Sequence, residues 1–165
     1  IQDMQTPGWM GHWDWAGKGK GWNHLDQLSS CVGKSWYGPG LTPLEQIAQI
    51  SLWTIMASPL VIPPDTRKVE KGDFCHSLVS NPKMIQVHQD SSGIPGRRVK
   101  DFYNTTSIEE EKIIQGQLWV RPLSNGAVAI VFFNRSEKQL LMQATWDDIG
   151  LPVTVRCPFL PDFAL

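Results

Sequence analysis

The stretch GLTPLEQIAQISLWTIMASPLVIPPD, residues 40–65, constrains the fold more than any other part of the chain. Thr42 can cap a helix, and Pro43 suits the first helical position because its missing N–H has no intrahelical partner to lose. Glu45 completes a capping box. Leu44, Ile47, Ala48, Ser51, Leu52 and Ile55 then recur at helical spacing. Ile50, Trp53 and Ala57 widen the apolar stripe, so this helix should be buried on more than one side. Pro59 disfavours the α conformation at Ser58 and stops it. The run LVI that follows, closed by Pro63-Pro64-Asp65, is short and uniformly apolar, as in a strand covered on both faces of a parallel sheet. With an earlier strand in GWNHLDQL, the order is strand, helix, strand, which is one right-handed βαβ unit.

Beyond residue 65 the spacing predicts a short helix over 73–80 and another extended piece in KMIQVHQD. Then the character changes. GQLWVRPL and AVAIVFFNRS flank Ser124-Asn125-Gly126, and an Asn-Gly pair between strand-like runs signals a hairpin. KQLLMQATW and PVTVRCPFL read as two further strands. These divide the chain into a β/α part over 1–92, a linker over 93–114 that holds Gly93, Pro95, Gly96 and the charged run Glu109-Glu110-Glu111-Lys112, and an antiparallel β part over 115–165.

Composition removes several function classes. The 165 residues are the usual length of one domain, with 41% hydrophobic and 19% charged residues. A net charge of −1 with scattered lysines and arginines argues against a nucleic-acid partner, which needs a clustered basic face. No apolar run approaches the ~20 residues that span a bilayer, so no membrane partner is expected. The opening IQDMQTPGW lacks a charged-then-apolar leader pattern. GKGKG lacks the spacing of a phosphate loop. No G-x-S-x-G elbow supports a serine hydrolase. His12, His24, His76 and His88 show no metal-ligand spacing, and neither a metal nor a cofactor is expected. Asn104-Thr105-Thr106 and Asn134-Arg135-Ser136 fit the glycosylation pattern. Cys31, Cys75 and Cys157 are an odd set, which in a secreted protein points to a free thiol or an outside partner.

What remains are tryptophans and acids. Trp9, Trp13, Trp15, Trp22 and Trp36 fall within the first 40 residues, among many glycines. A sugar ring has an apolar C–H face and a polar hydroxyl edge, so a sugar pocket wants aromatic walls and a few carboxylates. The same tryptophans could equally fill space beneath a Gly-rich loop. Asp26 lies where the first strand should leave the sheet, the end at which parallel β/α folds carry their active sites. Asp14 reads as a solvated loop residue, and Asp147-Asp148 as part of a structural turn.

The blocks Trp22-Asn23-His24-Leu25-Asp26-Gln27-Leu28, Ser58-Pro59-Leu60 with Asp65-Thr66-Arg67, and His88-Gln89-Asp90-Ser91-Ser92-Gly93-Ile94-Pro95-Gly96 resemble, in order, the second half of glycoside hydrolase family 27 enzymes. This is the α-galactosidase and α-N-acetylgalactosaminidase group, and LWVRPLSNGAVAIVFFNRS resembles the start of its C-terminal β-sandwich. The resemblance implies the last βαβ portion of a (β/α)8 TIM barrel, holding strands seven and eight, followed by an incomplete antiparallel β-sandwich. It implies a retaining hydrolase of terminal α-linked galactose-type sugars, secreted or lysosomal, with a homodimeric full-length parent compatible with it. The family's two catalytic aspartates match no position here, so no catalytic residue is assigned and the isolated chain is expected to be inactive. Asp26 and Gln27 match positions that line the sugar pocket, and Trp22 is assigned with them to substrate binding. His24 stands where the family has aspartate and Gln27 where it usually has methionine. The alternative that His24 motivates is a non-catalytic carbohydrate-binding relative that keeps only the pocket wall.

Overall fold

The computed structural model describes residues 15–33, 38–62, 65–103 and 113–151. Helix α1, Pro43–Ile55, begins as its sequence dictates: Thr42 Oγ1 accepts from Glu45 N, and the Glu45 carboxylate accepts from Thr42 N at 2.8 Å. It stops short of the proline. Ala57 adopts a left-handed φ of 54°, Ala57 N donates to Thr54 O and Ser58 N donates to Trp53 O, the paired bonds of a Schellman end. Burial concentrates in the second half, at Ile50, Leu52, Trp53, Thr54 and Ile55, whereas Leu44 is 78% exposed.

The segments 22–29 and 58–62, before and after α1, are adjacent but form no β-ladder. Leu25 N donates to Ser58 Oγ and Leu28 N to Val61 O, each at 3.0 Å. Both partners advance three residues together, so the segments run parallel. A left-handed φ of 73° at Asp26 interrupts the regular pairing that the sequence pattern predicts there.

A 3-10 turn, Thr66–Lys68, precedes helices α2, Phe74–Val79, and α3, Pro82–His88. Helix α3 replaces the extended piece expected in KMIQVHQD. The signal lies just upstream: Asn81 Oδ1 accepts from Lys83 N and Met84 N, and Pro82 takes the first helical position. A disulfide joins Cys31 to Cys75, with Cα atoms 5.6 Å apart. The cysteines therefore pair across the β/α part, and Cys157 lies outside the described residues.

Strands β1 (Arg97–Tyr103), β2 (Ile114–Pro122) and β3 (Val128–Asn134) form one antiparallel sheet in that order. The hairpin between β2 and β3 turns at the Asn-Gly pair, where Gly126 has a φ of 81°. Strand β1 falls within the stretch read as a linker, so the sheet begins at Arg97. The segment KQLLMQATW is not a strand. It runs across β2, where Leu140 and Met142 lie so close to Gly116 that a Cβ there would meet both. PVTVRCPFL lies outside the described residues.

Strand β2 is buried on both faces from Gly116 to Arg121. Trp119 joins Leu28, Ile50, Leu52, Trp53, Ile55, Leu78 and Met84 in the larger core, while Leu118 and Val120 pack with Ile149 on the other side. Sheet and helices also meet at Gly96, where a Cβ would stand 2.5 Å from Ile55 O.

Asp148 closes the turn over residues 146–150, as expected of a structural role. Its carboxylate accepts from Lys100 Nζ at 2.8 Å and from Thr145 N at 2.8 Å. The Lys100 bond, and then the Thr145 amide, hold its pKa down from 3.8 to about 2. A depressed carboxylate stabilises the fold fully above the unfolded value and loses that contribution as pH falls towards about 2. The variant D148N should therefore show a shallower loss of stability between about pH 4 and about pH 2 in acid titration followed by circular dichroism.

Candidate functional site

Asp26 sits in the irregular segment 22–29, and its surroundings fix its backbone on several sides. Its amide donates to His24 Nδ1 at 3.0 Å, its carbonyl accepts from Trp53 Nε1 at 3.2 Å, and its Oδ1 accepts from Gln27 N at 2.7 Å. A non-glycine residue at a φ of 73° costs about 1–2 kcal/mol, which persists only where neighbours over-determine it. The side chain stays exposed, and no hydrogen bond to its second carboxylate oxygen occurs among the described residues. An exposed carboxylate on a rigid backbone is suited to accepting bonds from hydroxyls of a ligand.

Gln27 follows, also exposed. The loop beyond is tied to the polar side of α1. Gln49 Oε1 accepts from Ser29 N and Ser30 N, both at 2.9 Å, and from Ser30 Oγ at 2.8 Å. Gln46 Oε1 accepts from Cys31 N at 2.9 Å, and the disulfide anchors the same loop to α2. Trp22, 47% exposed, stands at the opposite end of the segment, beside the Gly17–Gly21 bridge. Asp26 and Gln27 are consecutive and both exposed, with Trp22 four positions earlier in the chain.

Support reaches this segment from the sheet. Ser58 Oγ accepts from Leu25 N, Ser58 O bonds His88 Nε2 at 2.7 Å, and His88 O accepts from Arg121 Nη1 at 3.3 Å. Arg121 Nη1 also donates to Thr54 O at 3.0 Å. Asp90 fastens the β2–β3 turn: its carboxylate accepts from Ser92 and from Ser124 N and Oγ. The Ser92 and Ser124 hydroxyls hold it well below the usual carboxylate range. Gln46, Gln49, Trp53 and Arg121 act through contacts distant in the chain, which the spacing of the sequence does not reveal.

Among the described residues, no group of three or more His, Cys, Asp or Glu could hold a metal ion, and no helix is long and apolar enough to cross a membrane. Asn134 is exposed at the end of β3, its Oδ1 accepting from Ser136 N and Oγ. Asn104 lies outside the described residues.

Family models match in chain order: alpha galactosidase A over residues 12–90 and the alpha galactosidase C-terminal beta sandwich domain over 114–157. An α-galactosidase of Cyamopsis tetragonoloba is 36% identical over 137 residues, which are 83% of this chain and 28% of that protein. One of Coffea arabica is 34% identical over 115 residues, 70% of this chain and 27% of its own length. The solved α-galactosidase of Saccharomyces cerevisiae with raffinose superposes with a TM-score of 0.69 at 31% identity, covering 86% of this chain and 29% of that one. The chain therefore spans less than a third of the length of these relatives. With both family models matched in order and the solved relative superposing over most of this chain, the chain belongs to glycoside hydrolase family 27.

Proposed function

We propose that the protein cleaves terminal α-linked galactose-type sugars with retention of configuration, and that this chain supplies the wall of the sugar pocket at Asp26 and Gln27. Retention requires a nucleophile and an acid/base carboxyl about 5–5.5 Å apart. In this reading both are aspartates of the preceding barrel strands, and the chain completes the barrel's end and begins its β-sandwich. The Asp26 carboxylate accepts hydrogen bonds from ring hydroxyls, and the Gln27 amide supplies a donor and an acceptor beside it. Holding the sugar against the reacting pair turns a bimolecular encounter into a positioned one. Trp22, 47% exposed on the same segment, is the aromatic residue assigned to the apolar face of the sugar.

The observation that carries this reading is the strained, hydrogen-bonded and exposed placement of Asp26 in a chain of this family. Secretion or lysosomal residence fits a disulfide, which persists in oxidising compartments, and the exposed Asn134-Arg135-Ser136 triplet.

The test is D26N in the intact protein, assayed with a nitrophenyl α-galactoside and by galactose titration. Asparagine keeps the size but loses the charge, and charge-assisted bonds are worth about 1.5–3 kcal/mol each. A fall of about 100-fold in kcat/KM is expected. An unchanged kcat/KM removes Asp26 from the pocket. Galactose binding without turnover in the wild type selects the non-catalytic reading.

A further inference from the structure

We propose that His24 is a positioning residue for the sugar-contact wall, holding Asp26 in its bound geometry only while its imidazole is neutral. This rests on the reading that Asp26 contacts the sugar. The direction of the His24–Asp26 bond follows from chemistry alone. A backbone N–H can only donate, so His24 Nδ1, 3.0 Å from Asp26 N, must offer a lone pair. The ring is then neutral, with its proton on Nε2. A second proton must enter at Nδ1, where it turns the acceptor into a donor and sets two N–H groups against each other.

Asp26 depends on such restraints. Its φ of 73° is not one that aspartate adopts for free, and its amide has no other hydrogen-bond partner among the described residues. The two remaining restraints, from Trp53 Nε1 to Asp26 O and from Gln27 N to Asp26 Oδ1, do not involve the imidazole. His24 is exposed, so solvent protons reach it.

Few other charges lie on the elements bonded to this segment. Helix α1 carries only Glu45, committed to the Thr42 cap, and residues 58–62 carry none. The Gly17–Gly21 turn carries Lys18 and Lys20, the segment itself carries Asp26, and His88 is bonded to Ser58 O. Histidine alone among unperturbed side chains changes charge between about pH 5 and 8. Asparagine can accept from the amide two residues on, in the same pattern, without titrating. H24N therefore separates the geometric role from the proton-sensitive one, and leaves His88 in place as the competing imidazole.

The experiment uses the intact protein labelled with [15N]tryptophan, with galactose as the probe, at about pH 7.5 and about pH 5. The Trp53 indole, bonded to Asp26 O, reports the Asp26 backbone independently of turnover. On acidification the wild type should shift its Trp53 resonance and lose roughly 5- to 10-fold in galactose affinity relative to H24N, the worth of one hydrogen bond. H24A should bind weakly at both values. A Trp53 shift identical in wild type and H24N, or a wild-type-to-H24N affinity ratio that does not change with pH, overturns the proposal. A His24-dependent Trp53 shift with galactose bound at neither pH upholds the control of Asp26 by His24 and sinks the sugar-pocket reading instead.

Discussion

Replacing Arg121 with alanine should lower the unfolding free energy by about 3–5 kcal/mol, because it opens a cavity and strips a buried hydrogen-bonding group together. Arg121 is 0% exposed, on the central strand of the sheet, and its Nη1 donates to Thr54 O in the last turn of α1 and to His88 O at the end of α3. Carbonyls at helix C-termini carry partial negative charge, which favours a cation there. Burial pushes the guanidinium pKa down, and the Asp90 carboxylate opposes that shift. The methionine variant separates the contributions: it fills most of the space and should cost about 2 kcal/mol for the lost polar contacts. Denaturant unfolding of the three proteins measures both steps. A loss below about 1 kcal/mol in R121A would mean that sheet and helices are joined by apolar packing alone.

Removing the Cys31–Cys75 disulfide should cost about 4 kcal/mol, the chain-entropy value for a cross-link spanning 44 residues. The cross-link encloses α1, the 58–62 segment and the 3-10 turn, so the unfolded chain loses much of its freedom when it forms. At roughly 2–4 °C per kcal/mol for a domain of this size, the double serine variant should melt about 8–16 °C lower. Reductant should reproduce the shift in the wild type and leave the variant unmoved. The effect should reach the site as well, because Cys31 closes the loop that Gln46 and Gln49 hold beside Gln27. A melting temperature insensitive to reductant would show that the native packing already restrains residues 31 and 75.

The sequence was most informative where structure is local. The cap of α1 was legible because Thr42, Pro43 and Glu45 act within one turn, and the β2–β3 hairpin because Asn125-Gly126 suits a tight reversal. Helix α3 was misread because its start lies at Asn81-Pro82, ahead of an apolar run too short for its period to decide. Strand β1 went unread because Arg97–Tyr103 is rich in charge and becomes a strand only by pairing with β2. The resemblance singles out Asp26 and Gln27, and the structure shows both exposed, with the Asp26 backbone held by hydrogen bonds. The acceptor role of His24 and the burial of Arg121 were not legible, since each depends on a three-dimensional partner that spacing does not encode.

The sharpest test is a crystal structure of the intact protein with galactose bound. The Asp26 carboxylate is expected about 2.5–3.0 Å from a ring hydroxyl, with Gln27 beside it. A galactose seated with both side chains out of hydrogen-bonding reach would contradict the assignment.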